Sequence, residues 1–231
     1  FKTGTVEVSF NENDEAVYKV AHDVAFDHIE FSAEALKLVR KADCLVFGLL
    51  PQRFGISKNT LRELIKESPD SLHFFDLKLF EHFFSRKVVK RLLKAANVVR
   101  IKEKEIEFLA DKLEIEYTEV EDFARELAEI YKIDIVIITR GSIGVLALHA
   151  TDGLFFEPGY DLKAIDNIGS GMAFAAGFLH YYLNGKPVDE ALKFGNAVGA
   201  LNTTKIGATS YFTKEDVLEF MKNTSQHQAV L

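Results

Sequence analysis

Asp166-Asn167-Ile168-Gly169-Ser170-Gly171-Met172-Ala173-Phe174-Ala175-Ala176-Gly177-Phe178-Leu179 begins as a polar, glycine-punctuated turn and continues as an apolar run spaced for a buried helix. The start of a helix leaves backbone N–H groups unpaired and carries partial positive charge, so a Gly-Ser-Gly entry makes an anion cradle. Glycine lets a phosphate come close to the backbone and permits dihedral angles that other residues resist. A Gly-x-Gly before a helix is also an ordinary structural turn, and on these three residues alone both readings stand.

Two further glycine-containing loops lie close to it in the chain. Thr139-Arg140-Gly141-Ser142-Ile143-Gly144 follows the strongest strand pattern, 133–139, and leads into a hairpin over 145–157. Lys205-Ile206-Gly207-Ala208-Thr209 closes a last helical stretch, 189–204. Three such loops at element boundaries in one third of the chain favour a phosphate or nucleotide site over three unrelated turns.

The preceding residues supply the frame. From residue 32 onward helices alternate with continuous apolar strands: helices over 32–40, 57–66 (with Ser57 as N-cap), 85–95, 104–113 and 119–131, and strands over 44–48, 72–77 and 98–101. Apolar strands between amphipathic helices predict an α/β fold with a mostly parallel sheet covered on both faces, and in such sheets ligands bind at the carboxyl ends of the strands. The first residues differ. Gly4–Phe10 and Ala16–Val20 alternate apolar and polar positions around Asn11-Glu12-Asn13-Asp14-Glu15, as a half-exposed hairpin does. Two parts are therefore expected, a small lid at 1–22 and an α/β core at 23–231. The chain opens without Met and almost inside a strand, which reads as the remainder of something longer.

Bulk properties narrow the classes. The 231 residues, 48% hydrophobic and 27% charged, describe a globular protein with a sizeable core. A net charge of −7 argues against nucleic acid and acidic membranes as partners. No apolar run is long enough to span a membrane, and no signal peptide opens the sequence. The single cysteine, Cys44, sits in an apolar run and reads as buried packing; with no disulfide possible within the chain, the cytoplasm is the expected compartment. The seven histidines have no metal-ligand spacing, and His180 reads as the end of a helix near the surface. Lys87, Lys90, Arg91 and Lys94 form a basic helical face, and the phenylalanines at 74, 75, 80, 83 and 84 read as core and rim.

With these residues in view, the chain resembles the ribokinase-like (PfkB) carbohydrate kinases over nearly its whole length, and most closely their bacterial fructokinase-like branch. The 166–172 string is similar to the family's Asp-Thr-x-Gly-Ala-Gly-Asp signature. Lys2–Val8 resembles the lid strand, and 24–29 the segment leading back to the core. Asp76 opens the counterpart of an Asp-x-Asn-x-Arg strand end, and 100–105 that of a Lys-x-Asn-x-x-Glu segment. Thr139–Gly144 matches the Thr-x-Gly-x-x-Gly nucleotide loop, and 195–200 with Gly207-Ala208 the adenine-side helix and the loop beyond it. The resemblance implies a ribokinase-like fold with a small β lid and ATP as phosphoryl donor. It implies a small-molecule sugar as acceptor. Lid strands with one apolar face often pair with another subunit, so a homodimer through the lid is an expectation from the hairpin pattern. The resemblance places an anion hole at Gly169, Ser170 and Gly171, and nucleotide contacts at Thr139, Gly141, Gly144, Asn196 and Gly207. Glu105 falls on the Mg2+ side, and Asp166 beside a monovalent cation such as K+, where its structural role is to cap the turn.

Departures from the pattern cluster in the active centre. Met172 stands where the resemblance implies an Asp that takes the proton of the sugar hydroxyl, and a thioether has no useful basicity. Lys78 and Phe80 stand in place of Asn and Arg, and Lys102 in place of the Asn of the magnesium segment. The family's N-terminal sugar-binding region has no counterpart in the sequence. Two functions follow as expectations: an ATP-dependent sugar kinase, or a catalytically lapsed relative that binds nucleotide or sugar in a regulatory or interaction role.

Overall fold

The structure, a computed structural model, describes residues 1–10, 16–79 and 83–228; the loop expected at 11–15 and the Phe80 position lie outside the described residues. It comprises two compact units, Phe1–Ala96 and Asn97–Leu231.

In the first unit, β1 (Val6–Phe10) and β2 (Ala16–Val20) pair antiparallel in the register Val6↔Val20 and Val8↔Tyr18. Val6 and Val8 are 47% and 41% exposed, so the hairpin does leave apolar side chains in water. The segment after it is pinned by a buried ion pair. Both carboxylate oxygens of Asp27, which is fully buried, accept from Arg53 at 2.7 Å, and Val24 N–H adds a bond of 3.1 Å. Burial alone would raise the Asp27 pKa; Arg53 and the Val24 amide outweigh it and hold the group below its ordinary value. Beyond this clasp come α1 (Ala33–Val39), capped by Ser32, then β3 (Cys44–Gly48), α2 (Gly55–Lys66), β4 (Leu72–Asp76) and α3 (Arg86–Leu93). β3 and β4 are parallel, Cys44 opposite Leu72 and Gly48 opposite Asp76.

Two sequence expectations are corrected here. Ser57 is not an N-cap: α2 begins at Gly55, and Ser57 is buried within it. Its hydroxyl donates to Phe26 O and accepts from Ile29 N–H, both at 2.8 Å, so a residue suited to capping its own helix instead ties the lid-to-core segment down. Cys44 is half-buried rather than buried. Desolvation still pushes its thiol up to about 11, which keeps it unreactive at neutral pH.

In the second unit, β5 (Val98–Lys102) runs parallel to β6 (Ile135–Thr139), while β7 (Gly144–His149) and β8 (Gly153–Pro158) complete it as an antiparallel hairpin. Parallel pairing thus holds for β3–β4 and β5–β6, and the fold is the mostly parallel α/β class with a small antiparallel sheet. Ile135, Val136, Ile137 and Ile138 are all fully buried, which is why this stretch gave the strongest strand pattern. The helices are α4 (Ile106–Leu113), α5 (Val120–Tyr131), α6 (Ser170–Tyr182), α7 (Val188–Thr203) and α8 (Lys214–Asn223). α5 packs against β6 and β7, and α7 against β7 and β8.

Sequence reading ended the helices at 204, but α8 lies beyond. The Thr213 hydroxyl accepts from Asp216 N–H, and the Asp216 carboxylate accepts from Thr213 N–H, a reciprocal capping box. Val217 joins Tyr160, Phe194, Ala197 and Val198 in a buried cluster, with Phe220 and Met221 packed on it. The box followed by apolar residues at 217, 220 and 221 was the signal for this helix.

The Asp27–Arg53 clasp generates a prediction. Arg53→Ala leaves a buried carboxylate without its cation and should cost about 3–5 kcal/mol in urea unfolding. Because the folded pKa of Asp27 lies below the unfolded one, its contribution is present above the ordinary value of 3.8 and is lost as pH falls through the folded value. Wild-type stability should therefore decline below about pH 4 more steeply than that of Arg53→Ala. Equal stability of the two proteins at neutral pH would contradict this.

Candidate active site: an anion hole at the start of α6

The N-cap of α6 is Gly169, in the left-handed region at φ 85°, and no side chain caps the helix. A Cβ at Gly169 would fall on the backbone of Ala208, so glycine is required both by conformation and by the close approach of the 207–208 loop. Ser170 turns its hydroxyl back to donate to Asn167 O at 2.9 Å, which closes the turn and leaves the first helical N–H groups uncapped. There is no acidic residue in the first turn. The positive end of α6 is thus open to an anion and uncompensated by its own side chains.

A second positive group converges on it. Arg100, on β5, is 2% exposed, and its Nη1 donates to Thr139 Oγ1 at 3.2 Å. A Cβ at Gly171 would stand 2.8 Å from that same Nη1 and 2.9 Å from Nη2, so the guanidinium packs directly on the first turn of α6. A cation against the positive end of a helix is electrostatically unfavourable until an anion is shared between them. The sequence places Arg100 at the head of the 100–105 segment without assigning it a role. Its signal was a charged residue inside the otherwise apolar run Val98-Val99-Arg100-Ile101.

Asp166 organises the approach to the hole. Oδ1 accepts from Ile168 N–H at 2.8 Å and Oδ2 from Gly207 N–H at 3.0 Å, joining the 166–171 turn to the loop after α7. The Ile168 amide first, then that of Gly207, hold its pKa below the ordinary 3.8. The turn-capping role is therefore met within the chain.

The other expected residues have their own contacts. Thr139 bridges Arg100 and β5, donating to Ile101 O at 3.3 Å. Gly141 and Gly144 carry positive φ in the loop that opens β7, and Asn196 donates from Nδ2 to Pro158 O at 2.8 Å, anchoring α7 to the end of β8. Glu105 is buried, and its Oε2 accepts from Lys102 N–H at 2.9 Å, closing the turn after β5. Met172 is 49% exposed in the first turn of α6. The structure thus gathers Asp166, Gly169, Ser170, Gly171, Gly207, Thr139 and Arg100 through direct contacts. It links Gly144 and Asn196 to the 157–159 backbone instead.

An α/β protein with an uncapped, glycine-entered helix at its anion site has the architecture of the ribokinase-like sugar kinases. The pfkB family carbohydrate kinase profile matches residues 2–215, and the chain belongs to that family. Among characterised relatives, it is 29% identical over 176 residues to a 2-dehydro-3-deoxygalactonokinase of Haloferax volcanii, covering 74% of this chain and 54% of that protein. To a fructokinase of Salmonella thompson it is 32% identical over 124 residues, covering 51% of this chain and 53% of that one. It therefore spans about half the length of these two relatives. In fold it is similar to the ATP-bound fructokinase of Xylella fastidiosa, with a TM-score of 0.81 at 18% identity over 96% of this chain and 74% of that one. Among the described residues no helix is long and apolar enough to cross a membrane.

The crowding around α6 predicts a contrast between two glycines. Gly169→Ala and Gly141→Ala both force an alanine into positive φ, but only Gly169 has backbone in the way. Gly141→Ala should cost about 1–2 kcal/mol, whereas Gly169→Ala should cost more than that and lower the melting temperature by at least about 2–4 °C per kcal/mol. Thermal denaturation of the two variants side by side checks this, and equal shifts would refute it.

Proposed function

We propose that the chain carries the nucleotide-phosphate site of a fructokinase-like, ATP-dependent sugar kinase, and that Met172 makes it a slow one. The observation that carries this reading is the convergence of the uncapped α6 start and the Arg100 guanidinium, two positive ends with no carboxylate from the first turn of α6 between them. ATP, when bound, supplies the phosphoryl group that is transferred to a hydroxymethyl oxygen of the sugar. The residues of this chain would hold its terminal phosphate: the N–H groups at Gly171 and Met172 from the helix side, and Arg100 from below. Because these groups are fixed before the nucleotide arrives, they stabilise developing charge without reorganising.

Metal ions have more modest support. Among the described residues no group of three or more His, Cys, Asp or Glu side chains is placed to hold an ion. Mg2+ in kinases is held mostly by phosphate oxygens and water, with one or two carboxylates, and Glu105 would be that carboxylate. Asp166 would face K+ with the lone pairs its two amide donors leave open.

The second reading, a lapsed relative that binds without turnover, is favoured by one residue. Met172 occupies the first helical turn where a base would stand, half in solvent, and it cannot accept a proton. Loss of a positioned base typically costs about 10²–10⁴-fold in rate. Both readings share nucleotide binding. ATP or ADP should raise stability by about 2.7 kcal/mol at a hundredfold excess over the dissociation constant. Calorimetry without heat, together with an unchanged melting temperature at millimolar nucleotide, would overturn both.

The readings part at transfer from ATP to fructose and a small sugar panel, with and without Mg2+. The unmodified chain should turn over very slowly. Met172→Asp, whose charge the helix start favours, should recover part of the about 10²–10⁴-fold deficit. Robust transfer by the unmodified chain would sink the role given to Met172, and no gain in Met172→Asp would favour the lapsed relative. The exposed Val6 and Val8 of the β1–β2 hairpin are the face through which a second copy would pair. Sedimentation showing monomer at high concentration would remove that assembly.

A further inference from the structure

The first unit contains a cavity of about 280 Å³ that the kinase reading does not use. Its walls include Leu49, which follows β3, the first-turn residue Lys58 of α2, and Ser85 and Val88 at the start of α3. Phe83 contributes an aromatic wall, and Gln52 and Arg53 form the polar floor.

Its electrostatics run against local rules. Helix starts favour acidic residues, yet neither α2 nor α3 has one in its first turn; α2 places Lys58 there, and α3 has Lys87. Ser85 occupies the N-cap of α3, but its side chain makes no capping bond. Among the described residues lining the cavity none is acidic, and Lys58 has no ion-pair partner among the described residues. Gln52 is 4% exposed and its Oε1 accepts from Arg91 Nη2 at 3.3 Å, which turns its amide N–H groups into donors toward other acceptors. Arg91 in turn feels desolvation and the like charge of Arg62, both of which lower its pKa. The Arg53 side chain is 3% exposed, and its Nη1 is buried with no acceptor. Among the described residues no carboxylate meets Lys58, and one buried N–H of Arg53 has no acceptor, so the donors left open here suit a ligand.

The form of the donors selects the anion. A carboxylate is best met by the bidentate fork of an arginine, but the fork of Arg53, Nε with Nη2, is already taken by Asp27. What remains among the lining residues is a set of single donors: Arg53 Nη1, the Lys58 ammonium, the N–H groups at the start of α3, the Ser85 hydroxyl and the Gln52 amide. Point donors around one centre suit a tetrahedral anion with three acceptor oxygens. We propose that this cavity binds the phosphate group of a small phosphorylated molecule, whose carbon skeleton lies against Leu49, Phe83 and Val88. These residues are different from those that form the anion hole at α6, so the proposal stands apart from the nucleotide reading.

The test maps backbone amide shifts in the nitrogen-15 spectrum of the full chain during titration with inorganic phosphate and with fructose 6-phosphate. Ionic strength is held constant with sodium chloride, and acetate serves as the carboxylate probe. Phosphate should move the amides of 85–88 and of Lys58, in addition to those of 167–173. Fructose 6-phosphate should also move 49 and 83, and acetate should leave all of these in place. Lys58→Met and Lys58→Gln should weaken the response at 85–88 by about tenfold or more, the worth of one charge-assisted hydrogen bond, without changing that at 167–173. Shifts confined to 167–173 in the wild-type protein would overturn the proposal. So would an unchanged response in both Lys58 variants, or acetate acting as well as phosphate.

Discussion

The backbone contact between α6 and α7 is the constraint on which the site depends. A Cβ at Gly195 would stand 2.9 Å from Phe174 O, and one at Gly199 would stand 3.2 Å from Ser170 O. The two helices therefore lie closer than side chains ordinarily permit. Such contact fixes the position of α6 along its axis as well as across it, because interiors are packed as densely as crystals and do not deform gradually. The end that is fixed is the end that carries positive charge. From it follow the placement of Gly169 under the 207–208 loop, the fit of Arg100 beneath Gly171, and the direction in which the first N–H groups point.

Charge is handled in two contrasting ways. Asp27 and Arg53 are both buried and satisfy each other; neither is exposed above 3%, and the pair serves as a clasp between the end of the lid segment and α2. A buried pair of this kind contributes position more than net stability, since desolvation consumes most of the Coulombic gain. At the start of α6 the opposite is found. Arg100 is packed against a helix end of like sign.

Met172 separates binding from chemistry. In the proposed site the groups that would hold an anion are backbone N–H groups and Arg100, none of them the side chain at 172. Proton transfer needs one atom of suitable basicity at one place, and no arrangement of neighbours lends that to a thioether.

Local pattern alone carried much of this protein. The alternation of apolar strands with amphipathic helices gave the α/β class. The Gly-Ser-Gly entry followed by an apolar run marked the start of α6, and the strand at 135–138 was plain from its unbroken apolar run. These are statements about neighbours within one or two turns, where spacing and dihedral preference suffice. Tertiary structure decided what depends on distant partners. Asp166 reaches Gly207 across 41 residues, and Arg100 reaches Thr139 across 39. Ser57 looked like a cap and became a tie to Phe26 O and Ile29 N–H because the segment 26–29 lies over α2. In each case the side chain's local chemistry allowed several partners, and packing chose among them by deciding which polar groups lost water together and so had to satisfy one another.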